Sequence, residues 1–358
     1  MNKIIESDIE YIINNSNINF SIFRNKTVLI TGATGMLTSY MVMVLSYLNI
    51  MYKYNIYIIA MARDKNKFNN KFKDFLIDRN LVFTEFDIYN FNDSILSSFN
   101  INYIIHTASP SRSDQFLLKP LDIIYPNVFI TNTLLNYSRN SDIYSFLYFS
   151  TSDIYGKVEN GYISENIYGS LDNLDARNVY GESKRMGETL CKSYYSQYNI
   201  PIKIVRIAHT YAPTMDLIND SRVFAEFVKN IVENKNIVMK SSGKGLRSFC
   251  YIVDAVIGYF KVLINGKNGE AYNVANNRET TSIIELAKLL INMYPEKKLS
   301  IKIEKQNEIY LENNNMSSLD KLFIDTKKLE ELGWNPQFNI QTGFKRVIEY
   351  FEIERNKK

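Results

Sequence analysis

Six short apolar runs separated by helix-like segments fill the first 208 residues, and this alternation constrains the fold more than any other feature. The runs are "TVLIT" (27–31), "IYIIAMA" (56–62), "LVFTEFD" (81–87), "INYIIHTAS" (101–109), "SFLYFST" (145–151) and "PIKIVRIA" (201–208). Helical segments are expected at 36–49, 91–99, 118–138 and 178–198. Continuous apolar strands that alternate with helices form a parallel sheet covered on both faces. The expected class is therefore α/β, a doubly wound parallel sheet over 1–208. Beyond 208 the pattern loosens into a smaller C-terminal lobe, 209–358, with helices at 222–234, 281–293 and 341–353. A segment at about 248–262 is expected to return to the main body, its "SFCYIVDAV" (248–256) reading as one more strand.

Bulk properties exclude several classes. With 46% hydrophobic and 22% charged residues in 358, the chain is globular rather than disordered. A net charge of +4, with both signs interleaved, argues against a nucleic-acid surface. Two isolated cysteines, Cys191 and Cys250, suit a reducing compartment. His106 and His209 stand far apart with no clustered cysteine, so no metal is expected. The acids of "MNKIIESDIEYIINN" argue against a signal peptide, and the apolar run from Ser39 is too short to span a bilayer. The expectation is a soluble, cytoplasmic protein with no membrane partner.

In "TVLITGATGMLT", Gly32 and Gly35 lie in the turn between the first strand and the first long helix. Glycine there lets the backbone approach a pyrophosphate, whose charge rests on the helix N-terminus. Two glycines alone are a weak sign; their place at the head of a βα series makes them a strong one. Thr38 stands where a third glycine would permit close helix–strand packing, so the helix is expected to ride slightly outward. The second strand ends without the acid that binds a ribose diol. Arg63 follows it, suited to stacking on adenine or to a 2′-phosphate, and equally readable as an ordinary exposed arginine. NAD is expected, with NADP left open. Asp87 and Ile88 end the third strand, suited to the adenine amino group and ring, although an aspartate there is often only a turn former.

In "NVYGESKRMGE", Tyr180 and Lys184 are four residues apart and share one helical face. A lysine ammonium beside a phenol lowers its pKa, and the phenolate can then take a proton from a sugar hydroxyl while hydride leaves for the cofactor. Spacing alone is cheap among 26 tyrosines: Tyr294 and Lys298 share it, beside Pro295. Tyr180 differs in following the hydroxyl cluster of "FSTSDIYG".

Taken in order, "TGATGMLT", "HTASP", "FSTSDIYG", "YGESK" and "RIAHTYAP" resemble the extended short-chain dehydrogenase/reductases that act on nucleotide sugars. The resemblance runs from about residue 25 to the end, through "GKGLRSFCYIVD" and "ELGWNP", and among subfamilies it is nearest the UDP-glucuronate decarboxylases through "HTASPSRS", "STSDIYG" and "NDSRVFAEF". It implies a Rossmann domain that binds NAD through Gly32, Thr34, Gly35, Met36, Leu37, Arg63, Asp87, Ile88, Thr107, Ala108 and Ser109, with Tyr180 and Lys184 at the nicotinamide ribose. It implies catalysis by Thr151, Ser152, Asp153, Tyr180 and Lys184. Arg222 and Arg247 would bind the substrate pyrophosphate, and His209 stands where the family has asparagine. His106 reads as structural. The resemblance also implies a homodimer built on the Tyr–Lys helix and the helix near 118–138.

Members of such a family begin by oxidising C4. A 4,6-dehydratase then needs an Asp–Glu pair after the threonine; here Ser152 and Asp153 stand there, so the proton donor is missing. An epimerase needs no carboxylate. A β-keto acid loses CO2 readily, which suits Ser152 with an acid, although Asp153 is one methylene shorter than the subfamily's glutamate. The expected function is NAD-dependent decarboxylation of a UDP-uronic acid, UDP-glucuronate, to a UDP-4-keto-pentose or UDP-pentose. The alternatives are a nucleotide-hexose epimerase, 4,6-dehydratase or 4-keto reductase in surface-polysaccharide synthesis, and a catalytically dead dinucleotide sensor.

Overall fold

A computed structural model describes residues 1–91, 93–110, 113–158, 161–304 and 323–357. The six apolar runs form strands β1 (Thr27–Thr31), β2 (Tyr57–Ala62), β3 (Leu81–Glu85), β4 (Tyr103–His106), β5 (Ser145–Thr151) and β6 (Ile202–Ile207). A seventh strand, β7 (Glu270–Val274), completes one sheet in the order β7-β6-β5-β4-β1-β2-β3. Every pairing in it is parallel. The strand order reverses between β1 and β4, which opens a crevice at the carboxyl ends of those strands.

The sheet is buried on both faces, which is why its strands read as unbroken apolar runs. Along β1, Val28 and Ile30 enter one core and Leu29 the other, as the two-residue period of a strand requires. The first core is covered by helices α1 (Lys3–Asn15) and α2 (Met36–Tyr52). The second holds Leu134, Leu135 and Cys191, the last from helix α3 (Val179–Tyr198). Beyond β6 the longer helices include α4 (Val223–Val232), α5 (Ile252–Asn265) and α6 (Ile340–Arg355).

The segment at 248–262 does not return as a strand of the main sheet. Cys250–Tyr251 pairs instead with Thr210–Tyr211 in a two-stranded ribbon, and α5 follows at once and lies against the sheet. α5 is buried on all sides, from Ile252 to Leu263. Its opening "IVDAV" follows the apolar "SFCY" without a break, and so the two together read as one strand. The strand that does return is β7.

The region expected as one helix over 118–138 is broken into Pro120–Ile124, a π-turn over Tyr125–Ile130, and Thr131–Arg139. The π-turn carries Pro126, which has no N–H to give to a regular helix. In place of the helix expected at 91–99 stands a 3-10 segment, Asp93–Ser98, with Asn92 outside the described residues. α1 was not foreseen. It is held by the fully buried Asp8, which accepts hydrogen bonds from Tyr40 Oη (2.8 Å), Tyr251 Oη (2.6 Å) and Arg346 Nε (2.9 Å). Among the described residues, no helix is long and apolar enough to cross a membrane.

Candidate active site

The site lies at the carboxyl ends of β1, β4 and β5. Gly32 follows β1 with φ +65°, and a Cβ there would stand 2.8 Å from Thr107 Oγ1 and 3.0 Å from the Ala108 Cα. Only glycine allows the ends of β1 and β4 to approach this closely. Their junction is tied by Thr31. Its Oγ1 accepts the Thr107 and Ala108 N–H groups (3.1 and 3.2 Å), and its carbonyl accepts from Thr107 Oγ1 (2.7 Å). Gly35 caps α2 with extended backbone and no side-chain hydrogen bond, which leaves the first N–H groups of the helix to an incoming anion. Thr38 fills the third-glycine slot: its Oγ1 donates to the Gly32 carbonyl at 2.8 Å. Thr34, Met36 and Leu37 are half-buried around this loop. The glycine cradle and the uncapped helix fit a dinucleotide pyrophosphate.

At the far edge, Arg63 and Asp87 are both exposed at the ends of β2 and β3. The Asp87 carboxylate accepts from Tyr89 N (3.0 Å) and Asn90 Nδ2 (2.7 Å), which holds it below the usual range, with a further contribution from Arg63. It is thus a turn former, set beside a guanidinium. Ile88 is half-buried against the second core. Among the described residues Ser109 Oγ donates to the Pro110 carbonyl at 3.3 Å, and Ser111 and Arg112 of the same motif lie outside them.

The hydroxyl cluster of β5 turns directly into a 3-10 segment, Ser152–Tyr155, whose N-cap is Thr151. Thr151 Oγ1 accepts the Asp153 N–H at 3.2 Å and lies near enough to the Tyr180 hydroxyl to draw its pKa down. Thr151, Asp153 and Tyr180 are therefore together. α3 starts close by, since a Cβ on Gly181 would stand 3.1 Å from the Asp153 carbonyl. The Phe116 ring lies parallel to Tyr180, 5.1 Å between centroids and 12° between planes. Burial and the negative charge of Asp153 push the Tyr180 phenol up, while Thr151 and the Arg222 charge pull it down. Burial likewise raises the Asp153 carboxyl, against Thr151 and Arg247. Ser150 Oγ is buried with no hydrogen-bond partner among the described residues, and Ser152 is buried in the turn.

Lys184 is 3% exposed and lowered to about 7 by burial. Its ammonium donates to the Phe149 carbonyl at 2.6 Å and stands 6.0 Å from the Tyr180 ring centroid. His106 is a structural histidine, 1% exposed, with Nδ1 2.7 Å from Thr31 Oγ1 and Nε2 3.0 Å from Thr131 Oγ1. The decoy pair is elsewhere: Tyr294 and Lys298 flank the 3-10 turn Pro295–Lys297 in the C-terminal lobe.

Three residues of that lobe face the site. His209 is lowered to about 3, by burial first and then by Arg247 and Arg222. Arg247 acts on Asp153 as well as on His209, and Arg222 acts on Tyr180. The guanidinium of Arg222 is forked onto Asp220 (Nε–Oδ1 2.9 Å, Nη2–Oδ2 2.6 Å), and its Nη2 reaches Met36 Sδ at 3.3 Å. It thereby links the glycine loop to the N-terminus of α4. Sequence reasoning missed one large feature, a buried ion pair between Glu188 of α3 and Arg206 of β6 at 2.7 Å. Its trace was present, because Glu188 follows Lys184 by the same four residues that separate Lys184 from Tyr180.

A doubly wound sheet with a glycine cradle, a threonine and a Tyr–Lys helix at its switch point is the architecture of a dinucleotide-dependent enzyme of the extended short-chain class. The profile of the NAD dependent epimerase/dehydratase family matches residues 28–275, and the chain belongs to that family. NAD is its cofactor. Human dTDP-D-glucose 4,6-dehydratase is 27% identical over 344 residues, 91% of this chain and 90% of that protein. UDP-glucuronic acid decarboxylase 5 of Arabidopsis thaliana is 30% identical over 255 residues, 71% of each chain. In fold, the chain superposes on UDP-glucuronic acid 4-epimerase from Bacillus cereus with a TM-score of 0.76, 22% identity, and 92% and 99% of the two chains covered. The enzyme is thus a nucleotide-sugar epimerase, dehydratase or decarboxylase in kind.

Proposed function

We propose that the protein decarboxylates a UDP-linked uronic acid, UDP-glucuronate, with the return of its cofactor to the oxidised state within each turnover. The observation that carries this reading is the pairing of Ser152 with Asp153 beside Arg247. A carboxylate at position 152, needed to protonate a departing C6 hydroxyl, is absent, whereas a guanidinium acting on Asp153 is suited to a sugar carboxylate. The likeness to plant UDP-glucuronic acid decarboxylases supports it.

Bound NAD would supply the reversible hydride acceptor for C4. Tyr180 as phenolate removes the C4 hydroxyl proton, shared through Thr151, and the Lys184 ammonium stabilises that phenolate. The resulting C4 ketone is β to the carboxylate. The C5–C6 bond then breaks, CO2 leaves, and the electron pair passes to the C4 oxygen as an enolate. Asp153, raised by burial, is suited to carry the proton delivered to C5. Gly32, Thr34, Gly35, Met36 and Leu37 cradle the pyrophosphate of the cofactor. The C-terminal lobe, 209–358, holds the nucleotide sugar, with Arg222 toward its pyrophosphate and Arg247 and His209 toward the sugar.

A second copy of the chain is the expected partner. Leu121 and Phe129 are 67% and 54% exposed on the broken helix, Leu117 and Leu118 are 61% and 73% exposed on the short helix Ser113–Leu118 before it, and Met186 of α3 is 48% exposed. An apolar surface of this kind on packed helices suits a dimer face.

Purified protein given UDP-glucuronate should release CO2 and form a UDP-pentose or its 4-keto form. Absence of both overturns the reading. The second reading is a 4,6-dehydratase, favoured by the likeness to the human enzyme across 91% of this chain. It predicts loss of water from a dTDP- or UDP-hexose, read as an 18 Da decrease by mass spectrometry.

A further inference from the structure

Lys184 is placed where its charge matters most and where burial opposes that charge. Its ammonium is 3% exposed, and its hydrogen bond among the described residues goes to a neutral carbonyl, Phe149 O. A buried lysine with only neutral partners tends to lose its proton near neutrality, and with it the field that makes Tyr180 a base. Glu188 lies one helical turn beyond it, so that Tyr180, Lys184 and Glu188 form a ladder of i, i+4 and i+8 along α3. Its side chain is 12% exposed. Arg206, itself 10% exposed, grips both carboxylate oxygens: Nε at 3.0 and 3.3 Å, Nη2 at 2.7 Å. The other end of that guanidinium is fixed by Tyr155 Oη (3.1 Å) and the Glu165 carbonyl (2.8 Å), and Tyr155 in turn donates to Asn273 Oδ1 at 2.6 Å.

We propose that Glu188, anchored by Arg206, is a positioning residue that keeps the proton on Lys184. The proposal rests on the reading of Tyr180 and Lys184 as the acid–base pair, but not on which sugar is used. The titratable groups facing Lys184 are His106 from β4, Tyr148 from β5, and Tyr180, Glu188 and Cys191 from α3 itself. His106 is lowered to about 3, and Tyr148 and Cys191 are raised by burial, so all three are neutral at pH 7. Glu188 is left as the carboxylate that favours the ammonium. Arg206 holds Glu188 from β6, and of these two charges it is Glu188 that acts on Lys184. Tyr155, raised to about 12, is neutral beside them.

The sign follows. A lysine loses its charge as pH rises through its pKa, and removal of a nearby carboxylate lowers that pKa. Glu188→Gln should therefore weaken the proton affinity of Lys184 about tenfold. The alkaline limb of turnover should move to lower pH, and the acid limb, set by Tyr180, should move up. The test follows the Lys184 ammonium by carbon–nitrogen NMR of the NAD-loaded enzyme, assigned through Lys184→Arg, and records the pH profile of C4 oxidation as bound-NAD absorbance at 340 nm. A lower Lys184 midpoint with a narrowed profile supports the proposal. An unmoved midpoint in a folded, NAD-loaded variant overturns it, whatever happens to the rate, because a purely structural ion pair would slow turnover equally at every pH. Should Glu188→Gln not fold, the Glu188→Gln/Arg206→Met double variant removes both buried charges together. It should move Lys184 the same way by less, and no movement there overturns the proposal equally. A shifted midpoint with no turnover on UDP-glucuronate would sink the substrate and leave the role of Glu188 standing.

Discussion

Asp153 is where substrate identity concentrates at the scale of single residues. Burial raises its carboxyl, and it sits within the field of Arg247 and a hydrogen bond of Thr151. Burial favours the protonated form of this acid, which suits it to proton delivery better than a solvated aspartate. Asp153→Asn keeps the size and the Thr151 contact and removes the acid. C4 oxidation, read as bound-NAD absorbance, should persist, while CO2 release falls by roughly 10²- to 10⁴-fold. Tyr180→Phe is the control in which C4 oxidation itself falls by a similar factor. Loss of C4 oxidation in Asp153→Asn would show instead that Asp153 shapes the Thr151–Tyr180 pair. At this scale the site was largely legible, because Thr151, Tyr180 and Lys184 are residue types with a chemical reason to meet. Thr151 and Tyr180 lie near each other, and Thr151 lowers the phenol against the effect of burial. Phe116 was not legible: an aromatic residue stacked on the phenol carries no mark among the 21 phenylalanines of the chain.

Elements were legible in proportion to their burial on two faces. β1 to β6 are continuous apolar runs and stand out; β7, an edge strand reading "EAYNV", does not. Its Asn273 is fully buried and bonded to Tyr155 and the Asp325 carbonyl, a polar residue satisfied only by tertiary partners. α5 failed for a different reason, since its buried opening continues the apolar run before it without a break. The glycine loop shows how tightly an element boundary can be specified. Gly32→Ala would place a methyl group 2.8 Å from Thr107 Oγ1 at φ +65°. The left-handed backbone alone costs about 1–2 kcal/mol for a residue with a Cβ. A lower melting temperature and at least tenfold weaker NAD binding by calorimetry are expected. Unchanged NAD affinity would mean that the loop does not approach the pyrophosphate.

For the molecule as a whole, the open question is what covers the broken helix between Pro120 and Arg139. Its inner side is committed to the core through Ile123, Ile130, Leu134 and Leu135, so the outward leucines are not needed for folding. Leu121 and Phe129, at 67% and 54% exposure, stand on the same broken helix as the buried Asn127, whose Nδ2 donates to Ser183 Oγ on α3 at 2.9 Å. A second copy seated here would press on the elements that carry Tyr180 and Lys184. Assembly and activity should therefore be linked. Leu121→Asp combined with Phe129→Asp puts two charges into the face and should yield a monomer by light scattering at micromolar concentration, with the fold intact by circular dichroism. Turnover should fall in the same variant, because α3 loses the support of its partner. A wild-type protein that is already monomeric at that concentration would refute the dimer. A fully active monomeric variant would keep the dimer but show that α3 needs no help from it.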